Sequence, residues 1–192
     1  MDSQLTPKGV RQARLLARRL RHWPVDKIYS SDLGRAYATT LEIAKYLKVR
    51  IIRDPALREI HLGDWEGMTP EEVDRLYDRG YEKWLRKPSA CVIPRGEGLG
   101  HFRKRIVGRV RAIARANRGK TVLLVTHGGA ITAMLAEWLE ADFDHLLLNL
   151  HLENTSLTLV NETDKRARLL SVNDSSHLSP RERNDRFVLN AR

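Results

Sequence analysis

Apolar residues recur at helical spacing in several parts of the chain, separated by short apolar runs without that period. Near the start, Thr6 and Pro7 are typical of the beginning of a helix. The apolar positions that follow fall three or four residues apart: Val10, Ala13, Leu16, Ala17 and Leu20. The same spacing predicts a long helix from about Leu99 to Asn117. A capping-box pattern at Thr69-Pro70-Glu71-Glu72 predicts a more polar helix.

Two of the apolar runs without helical period are each followed by a turn and a helical pattern. Thr121–Val125 predicts a buried strand, and an Ala-rich helix follows the turn at 126–129. Lys27–Ser30 predicts a second strand, with Ser31 or Asp32 as the cap of the helix behind it. The repeated order of strand, turn and helix predicts an α/β layered fold with a mostly parallel sheet.

Shorter segments complete this pattern. Arg50–Arg53 is predicted as a further strand, and residues 146–152 as strand-like or irregular. Residues 156–160 are expected to pair with residues 167–172. After Leu178 the composition becomes polar and charged. We therefore predict one domain over residues 1–178 and a mobile polar tail over residues 179–192.

Composition narrows the class of protein. A chain of 192 residues, 42% of them hydrophobic, suits a domain with a real core. The single cysteine, Cys91, excludes a framework of internal disulfides and favours a reducing compartment. No apolar run approaches the roughly 20 residues of a membrane helix. The first residues also lack the layout of a signal peptide, so we expect a cytoplasmic protein that does not associate with membranes.

The formal net charge of +10 at pH 7 favours an anionic partner. A phosphorylated metabolite, a nucleic acid and a membrane surface all fit that description. Most of the 34 basic residues are arginines, which genomic composition or growth temperature also explains. They are spread along the chain without interleaved aromatic residues, which argues against nucleic acid. The sequence leaves the oligomeric state open.

Three separate segments each place a polar side chain at a turn. His127 follows a predicted strand and precedes a helix whose free N–H groups can bind an anion. Arg35 lies in the first turn of another helix, where a cation is unfavourable unless an anion lies beside it. Glu59 lies in an irregular loop, 57–67, that is rich in polar and aromatic groups. Taken singly, His127 can be an ordinary strand-end residue and Arg35 can extend into solvent.

Together, four blocks of this sequence resemble the histidine phosphatase superfamily, which has the phosphoglycerate mutase-like fold. The blocks are DSQLTPKGVRQA, IYSSDLGRAYATT, LREIHLGDWEG and VLLVTHGGAI. NTSLTL and NDSSHL are similar to the closing region of bacterial members such as α-ribazole and broad-specificity phosphatases. The resemblance implies a three-layer α/β/α fold. It also implies hydrolysis of small phosphorylated metabolites through a phosphohistidine, without a metal or another cofactor.

The resemblance also implies a role for each candidate residue. Arg35 would clamp the phosphate with its planar fork of donors, and Gly128 would contribute to phosphate binding at the start of its helix. His127 would donate to a phosphoryl oxygen. Glu59 would protonate the departing alcohol as the general acid and later activate water as the base.

Two departures from the family pattern affect these expectations. Glu97, a candidate substrate- or phosphate-binding residue, lies in Gly96-Glu97-Gly98, where Gly98 replaces the serine of the family's Gly-Glu-Ser. Family members also begin with a strand that ends in Arg-His-Gly-Glu and carries the nucleophilic histidine. This sequence contains no such segment, and Arg21-His22 is not a substitute because it ends a predicted helix.

We therefore expect the first strand of the fold to be missing and the 192-residue chain to be inactive or severely impaired. A non-catalytic protein that binds a phosphorylated ligand or a protein partner is one alternative. A phosphoglycerate mutase is another, because a mutase shares the pocket. A basic nucleic-acid-binding module is the least favoured, since pattern and charge placement both argue against it.

Overall fold

The computed structural model describes residues 2–163 and 166–183. Within these ranges the strands are β1 (Lys27–Ser30), β2 (Arg50–Arg53), β3 (Val122–Val125), β4 (Leu157–Glu162) and β5 (Ala167–Asp174). The helices are α1 (Pro7–Leu20), α2 (Gly34–Ala44), α3 (Pro70–Leu76), α4 (Gly80–Arg86), α5 (Leu99–Ala116), α6 (Gly128–Trp138) and α7 (Phe143–Asn149). Over the same residues, no helix is both long enough and apolar enough to span a membrane.

The central sheet is parallel, with the strand order β2-β1-β3. Ile28 of β1 lies in register with Ile51 of β2 and with Leu123 of β3. The strands β4 and β5 form a separate antiparallel pair. The four residues of β3 are only half-buried, whereas the sequence predicted a buried strand. Its place at one end of the strand order accounts for this difference.

The residues of the three parallel strands alternate between two apolar clusters. The cluster on one face contains residues of α1 and α2 together with these strand residues: Ile28, Ile51, Leu123 and Val125. The cluster on the other face contains residues of α5, α6 and α7 together with these strand residues: Tyr29, Ile52, Val122 and Leu124. Successive side chains of a strand point to opposite faces, so helices cover the sheet on both sides. The predicted three-layer α/β/α fold is confirmed.

Local sequence explains where several helices begin. Thr6 accepts a hydrogen bond from the N–H of Gly9, with Pro7 in the first turn of α1. Thr69 and Glu72 form the predicted capping box at α3. The prediction that Ser31 or Asp32 caps α2 is wrong. The N-cap residue of α2 is Leu33, whose side chain makes no capping hydrogen bond. Asp32 instead accepts two hydrogen bonds from Arg58, at 2.7 and 2.6 Å, and the contacts of Ser31 are described below.

The prediction for residues 146–152 is also wrong, since α7 covers Phe143–Asn149. Asp142 caps this helix by accepting a hydrogen bond from the N–H of His145 at 2.7 Å. Phe143, Leu146 and Leu147 then lie three and four residues apart and pack on the core. The run of leucines resembles a strand only when it is considered without its cap.

The predicted tail begins with a segment that turns back onto α1. The side-chain amide of Gln12 donates to the carbonyl oxygen of Glu182 at 2.6 Å. Residues 184–192 of that tail lie outside the described residues. The domain boundary at residue 178 stays a prediction.

Candidate active site

The carboxyl end of β1 directs the first turn of α2 toward the end of β3. Ser30 and Ser31 are both fully buried. The N–H of Ser31 donates to the carbonyl oxygen of Val125 at 2.8 Å, which extends the pairing of the two strands by one residue. The Oγ of Ser31 accepts a hydrogen bond from the N–H of Leu33 at 3.3 Å and so shapes the turn. Arg35 follows in the first turn of α2, as the sequence predicted.

His127 lies between β3 and α6 and is only 8% exposed. Its Nε2 lies 2.8 Å from the Oγ of Ser31, so the ends of β1 and β3 meet through these two side chains. Burial, reinforced by the positive charge of Arg35, lowers the pKa of His127 from 6.5 to about 4. The imidazole is therefore neutral at pH 7 and within electrostatic reach of Arg35.

Glu59 reaches the same place from the loop that follows β2. A short 3₁₀ turn at Pro55–Leu57 starts this loop, and Thr126 Oγ1 donates to the carbonyl oxygen of Leu57 at 2.7 Å. Glu59 Oε2 then accepts a hydrogen bond from the N–H of Gly129 at 2.9 Å. Its other oxygen accepts from the N–H of Ile60 at 3.0 Å. The carboxyl group thus lies over the first turn of α6, where it contacts Gly129, the second residue after His127.

Burial raises the pKa of Glu59 even though two N–H groups and the charge of Arg35 favour the ionised form. A carboxyl group with a raised pKa holds its proton at higher pH than an exposed one. Such a group is suited to general acid catalysis, where the best pKa lies near the working pH.

A half-open cavity of about 440 Å³ adjoins these groups. Arg35, Arg58 and Arg105 line it together with Glu59. Other residues in its wall are Asp2, Leu33, Pro55, Ile60, His61, Glu66 and Glu97. Arg58 is paired with Asp32 at 2.7 and 2.6 Å, and Arg105 is paired with Glu97. The positive charge of Arg35 at this opening favours an anionic ligand, and the adjacent carboxyl group can exchange a proton with it.

The structure gives Glu97 a contact that the sequence did not reveal. Arg105 Nε and Nη2 donate to the two oxygens of Glu97 at 2.8 and 2.6 Å. Glu97 lines the cavity, but a carboxylate would repel a phosphate placed directly against it. Its predicted role in substrate or phosphate binding stays a prediction, and its observed partner is Arg105.

Two glycines at the start of α6 differ in their surroundings. A Cβ on Gly128 would have no atom within 4 Å, so the open side of the helix end lies there. A Cβ on Gly129 would lie 2.5 Å from Oε1 of Glu59. Gly129 is therefore the residue whose missing side chain makes room for the carboxyl group.

Sequence reasoning brought together Arg35, Glu59, His127 and Gly128, but it missed three further residues: Ser31, Gly129 and Arg105. Ser31 stands next to a predicted strand end, and that position was a usable signal. Gly129 was visible as one of two adjacent glycines, without a sign of which one faces the acid. Arg105 is one of several basic residues on α5, and nothing in the sequence distinguishes it from the others.

Comparison with known proteins shows which family the whole chain resembles. The family model of the histidine phosphatase superfamily (branch 1) matches residues 1–175. Phosphoserine phosphatase 1 of Hydrogenobacter thermophilus is 31% identical over 178 residues, which cover 93% of this chain and 84% of that protein. The probable phosphoglycerate mutase GpmB of Yersinia pestis is 33% identical over 168 residues, or 83% of this chain and 74% of its own.

A solved structure shows the same fold. The YhfR protein of Bacillus stearothermophilus superposes with a TM-score of 0.86 at 32% sequence identity. The match covers 92% of this chain and 87% of that structure. The fold is therefore shared over nearly the whole of both chains.

Proposed function

The chain belongs to the histidine phosphatase superfamily, and on that premise we propose that its cavity binds and hydrolyses phosphate monoesters of small metabolites. The observation that carries the proposal is the meeting of Arg35, Glu59 and His127 at the ends of two parallel strands and the loop after a third. This arrangement offers a cation, a proton donor and a neutral imidazole around one opening.

Arg35 and His127 would hold the phosphoryl group. A guanidinium presents paired donors that match two phosphate oxygens. The neutral imidazole of His127 has one N–H and can donate it to a third oxygen. Gly128, with open space at its Cβ position, leaves room for the ligand at the start of α6.

Glu59 would donate and later accept the proton of the reaction. In the family reaction, a bond forms from phosphorus to the acceptor histidine while the ester P–O bond breaks, and the carboxylic acid gives its proton to the leaving alcohol oxygen. In the second half, water attacks the phosphorus of that phosphohistidine, the P–N bond breaks, and the carboxylate takes a proton from the attacking water. The raised pKa of Glu59 suits the first of these two steps.

The family resemblance assigns the phosphoryl acceptor to a histidine in an Arg-His-Gly segment, and the 192 residues contain no such sequence. His22, which follows an arginine, lies in an exposed turn after α1. The expectation that the 192-residue chain is inactive or severely impaired therefore stays a prediction, and two further functions are to be tested beside hydrolysis: binding of a phosphorylated ligand without turnover, and phosphoglycerate mutase activity.

Phosphoserine is the first substrate to test, because a relative with 31% identity is named for it. The carboxylate of Glu66 lines the same cavity and suits the ammonium group of that substrate. Phosphoserine, p-nitrophenyl phosphate and 3-phosphoglycerate should be assayed with the 192-residue chain. Release of phosphate supports a phosphatase, and isomerisation of 3-phosphoglycerate supports a mutase.

Binding should be measured alongside turnover, by the thermal stabilisation that inorganic phosphate or vanadate produces. A ligand at 100 times its Kd stabilises a protein by about 2.7 kcal/mol. Arg35→Ala should remove this effect, whereas Arg14→Ala on the exposed side of α1 should retain it. Stabilisation without turnover favours the binding alternative, and the absence of both would refute the proposed site.

A further inference from the structure

Arg105 projects from α5 into the segment that precedes Glu59. Its Nη1 donates to the carbonyl oxygen of Ala56 at 2.9 Å and to that of Arg58 at 3.0 Å. These two carbonyl groups lie one and three residues before Glu59. A single side chain from another element therefore holds the peptide that carries the acid.

The guanidinium is itself fixed by Glu97. The bidentate pair described above orients Arg105, whose side chain is only 26% exposed. The backbone N–H of Glu97 in turn donates to the carbonyl oxygen of His61 at 2.7 Å. The loop before α5 and the loop that bears Glu59 are thus joined on both sides of the arginine.

These contacts leave Arg105 little capacity to bind a substrate directly. A guanidinium has five N–H groups. Two hydrogen bonds to Glu97 and two to carbonyl oxygens occupy four of them. The geometry therefore favours a supporting role over a direct grip on phosphate.

We propose that Arg105 is a positioning residue, which clamps the segment 56–58 so that the carboxyl group of Glu59 stays on the N–H of Gly129. This inference rests on the proposed function, because Glu59 is the proton donor of that reaction. A displacement of about 1 Å in such a group can cost 10²-fold in rate.

The charge of Arg105 adds an electrostatic effect to the mechanical one. Its positive field lowers the pKa of Glu59 and so opposes the rise that burial causes. It also lowers the pKa of His127. Arg105 therefore moderates the proton affinity of the acid while it fixes its position.

Arg105→Gln and Arg105→Lys distinguish the effect of the positive charge from that of the hydrogen bonds to Ala56 and Arg58. Arg103→Gln is the matched control. Arg103 lies on the same helix but pairs with Glu137 at 3.0 Å. The pKa of Glu59 is measured by ¹³C NMR of its side-chain carboxyl group, assigned with Glu59→Gln. The amide signal of Gly129 reports whether the carboxyl group remains on that N–H.

Arg105→Gln should raise the pKa of Glu59. The amide signal of Gly129 should then no longer change as the carboxyl group of Glu59 titrates. Arg105→Lys retains the charge but cannot make all four bonds, so it should uncouple the amide with a smaller change in pKa. In both variants kcat should fall about tenfold or more while KM changes little, as expected for a misplaced catalytic group. Arg103→Gln should match the wild type in every measurement.

The inference fails if Arg105→Gln gives the same Glu59 titration and Gly129 amide response as Arg103→Gln. If Arg105→Gln does not fold, Glu97→Gln provides the second variant, since it weakens the hold on the guanidinium and should shift the same signals. The NMR readouts need no turnover. If the Arg105 variants show these NMR changes but the wild type hydrolyses no substrate, the proposed function is refuted and the positioning role stands.

Discussion

The helices α2 and α6 begin in the same structural context, and yet their first turns serve different purposes. Each follows a parallel strand. In neither helix does the side chain of the N-cap residue accept a hydrogen bond from a backbone N–H of the first turn. In both, a carboxylate from elsewhere in the chain accepts a backbone hydrogen bond. Asp2 Oδ1 accepts from the N–H of Gly34 at 2.7 Å, and Glu59 Oε2 accepts from that of Gly129 at 2.9 Å.

The difference between the two carboxylates is burial. The contact of Asp2 is exposed to solvent, so this carboxylate acts as a cap that replaces the missing N-cap side chain. Glu59 is half-buried in the wall of the cavity, and burial raises its pKa. The same type of hydrogen bond therefore caps a helix at one site, and at the other holds the carboxyl group that we propose as the general acid.

Replacement of each carboxyl group by its amide should give the largest contrast. Glu59→Gln should lower turnover of phosphoserine by about 10²–10⁴-fold, the usual contribution of a general acid. The loss should be smaller with p-nitrophenyl phosphate, because p-nitrophenolate leaves without a proton. Asp2→Asn, whose carboxyl group also lines the cavity but does not exchange a proton with the substrate, should lower kcat far less than Glu59→Gln with both substrates. Equal losses in the two variants, or equal losses with the two substrates, would contradict the division of roles.

His127 gives the α6 end a second buried titratable group, and its effect should appear in stability. Because its pKa is lowered to about 4, the unfolded state binds more protons than the folded state between pH 4 and 6.5. The free energy of unfolding should therefore fall as the pH falls through this window. A shift from 6.5 to about 4 corresponds to a loss of up to about 3 kcal/mol.

The measurement is urea unfolding at a series of pH values. His127→Gln should reduce the slope between pH 6.5 and 4, and His177, whose pKa burial also lowers, contributes to the slope that remains. His22→Gln changes an exposed histidine and should leave the slope unchanged. An unaltered slope in His127→Gln would show that this imidazole is not buried in its neutral form.

The glycines at the two helix ends provide a smaller, more local test. Gly129→Ala would place a Cβ 2.5 Å from Glu59 Oε1, so the carboxyl group must move. Because this group is the end of a flexible side chain, Tm should change little while kcat falls by up to about 10²-fold. Gly128→Ala should be tolerated, since its Cβ would have no atom within 4 Å.

Gly34→Ala extends the same comparison to α2. Its Cβ would lie 3.2 Å from Asp2 Oδ1, a tight distance that a small movement of the exposed carboxylate relieves. We expect kcat close to that of the wild type. A loss in Gly34→Ala as large as that in Gly129→Ala would mean that both carboxylates take part in the reaction.

These contrasts show what a sequence can and cannot predict here. The two strand–turn–helix units were predictable because strand period, caps and glycines are local properties. Arg35, Glu59 and His127 could be grouped because ends of parallel strands meet at one edge, and because four blocks resemble a known family. The role of α7 was missed because a leucine run has no clear period until its cap at Asp142 is considered.

The remaining site residues depend on contacts between distant parts of the chain. Glu59 and Gly129 are 70 residues apart, and Asp2 and Gly34 are 32 apart. Arg105 meets the carbonyl oxygens of Ala56 and Arg58 across 49 and 47 residues. No local pattern reports which glycine faces a carboxylate or which arginine of α5 turns inward.

The smallest expected effect concerns Asp2 as a cap. Asp2→Ala should lower the free energy of unfolding by about 0.5 kcal/mol, the low end for loss of a capping carboxylate. Asp142 caps α7 from the adjacent position, with its own backbone already ordered by that helix. Asp2 must instead be ordered from a separate segment, and that entropy cost reduces its net contribution. Asp142→Ala should therefore be more destabilising than Asp2→Ala in urea unfolding, and the reverse order would show that Asp2 stabilises more than the end of α2.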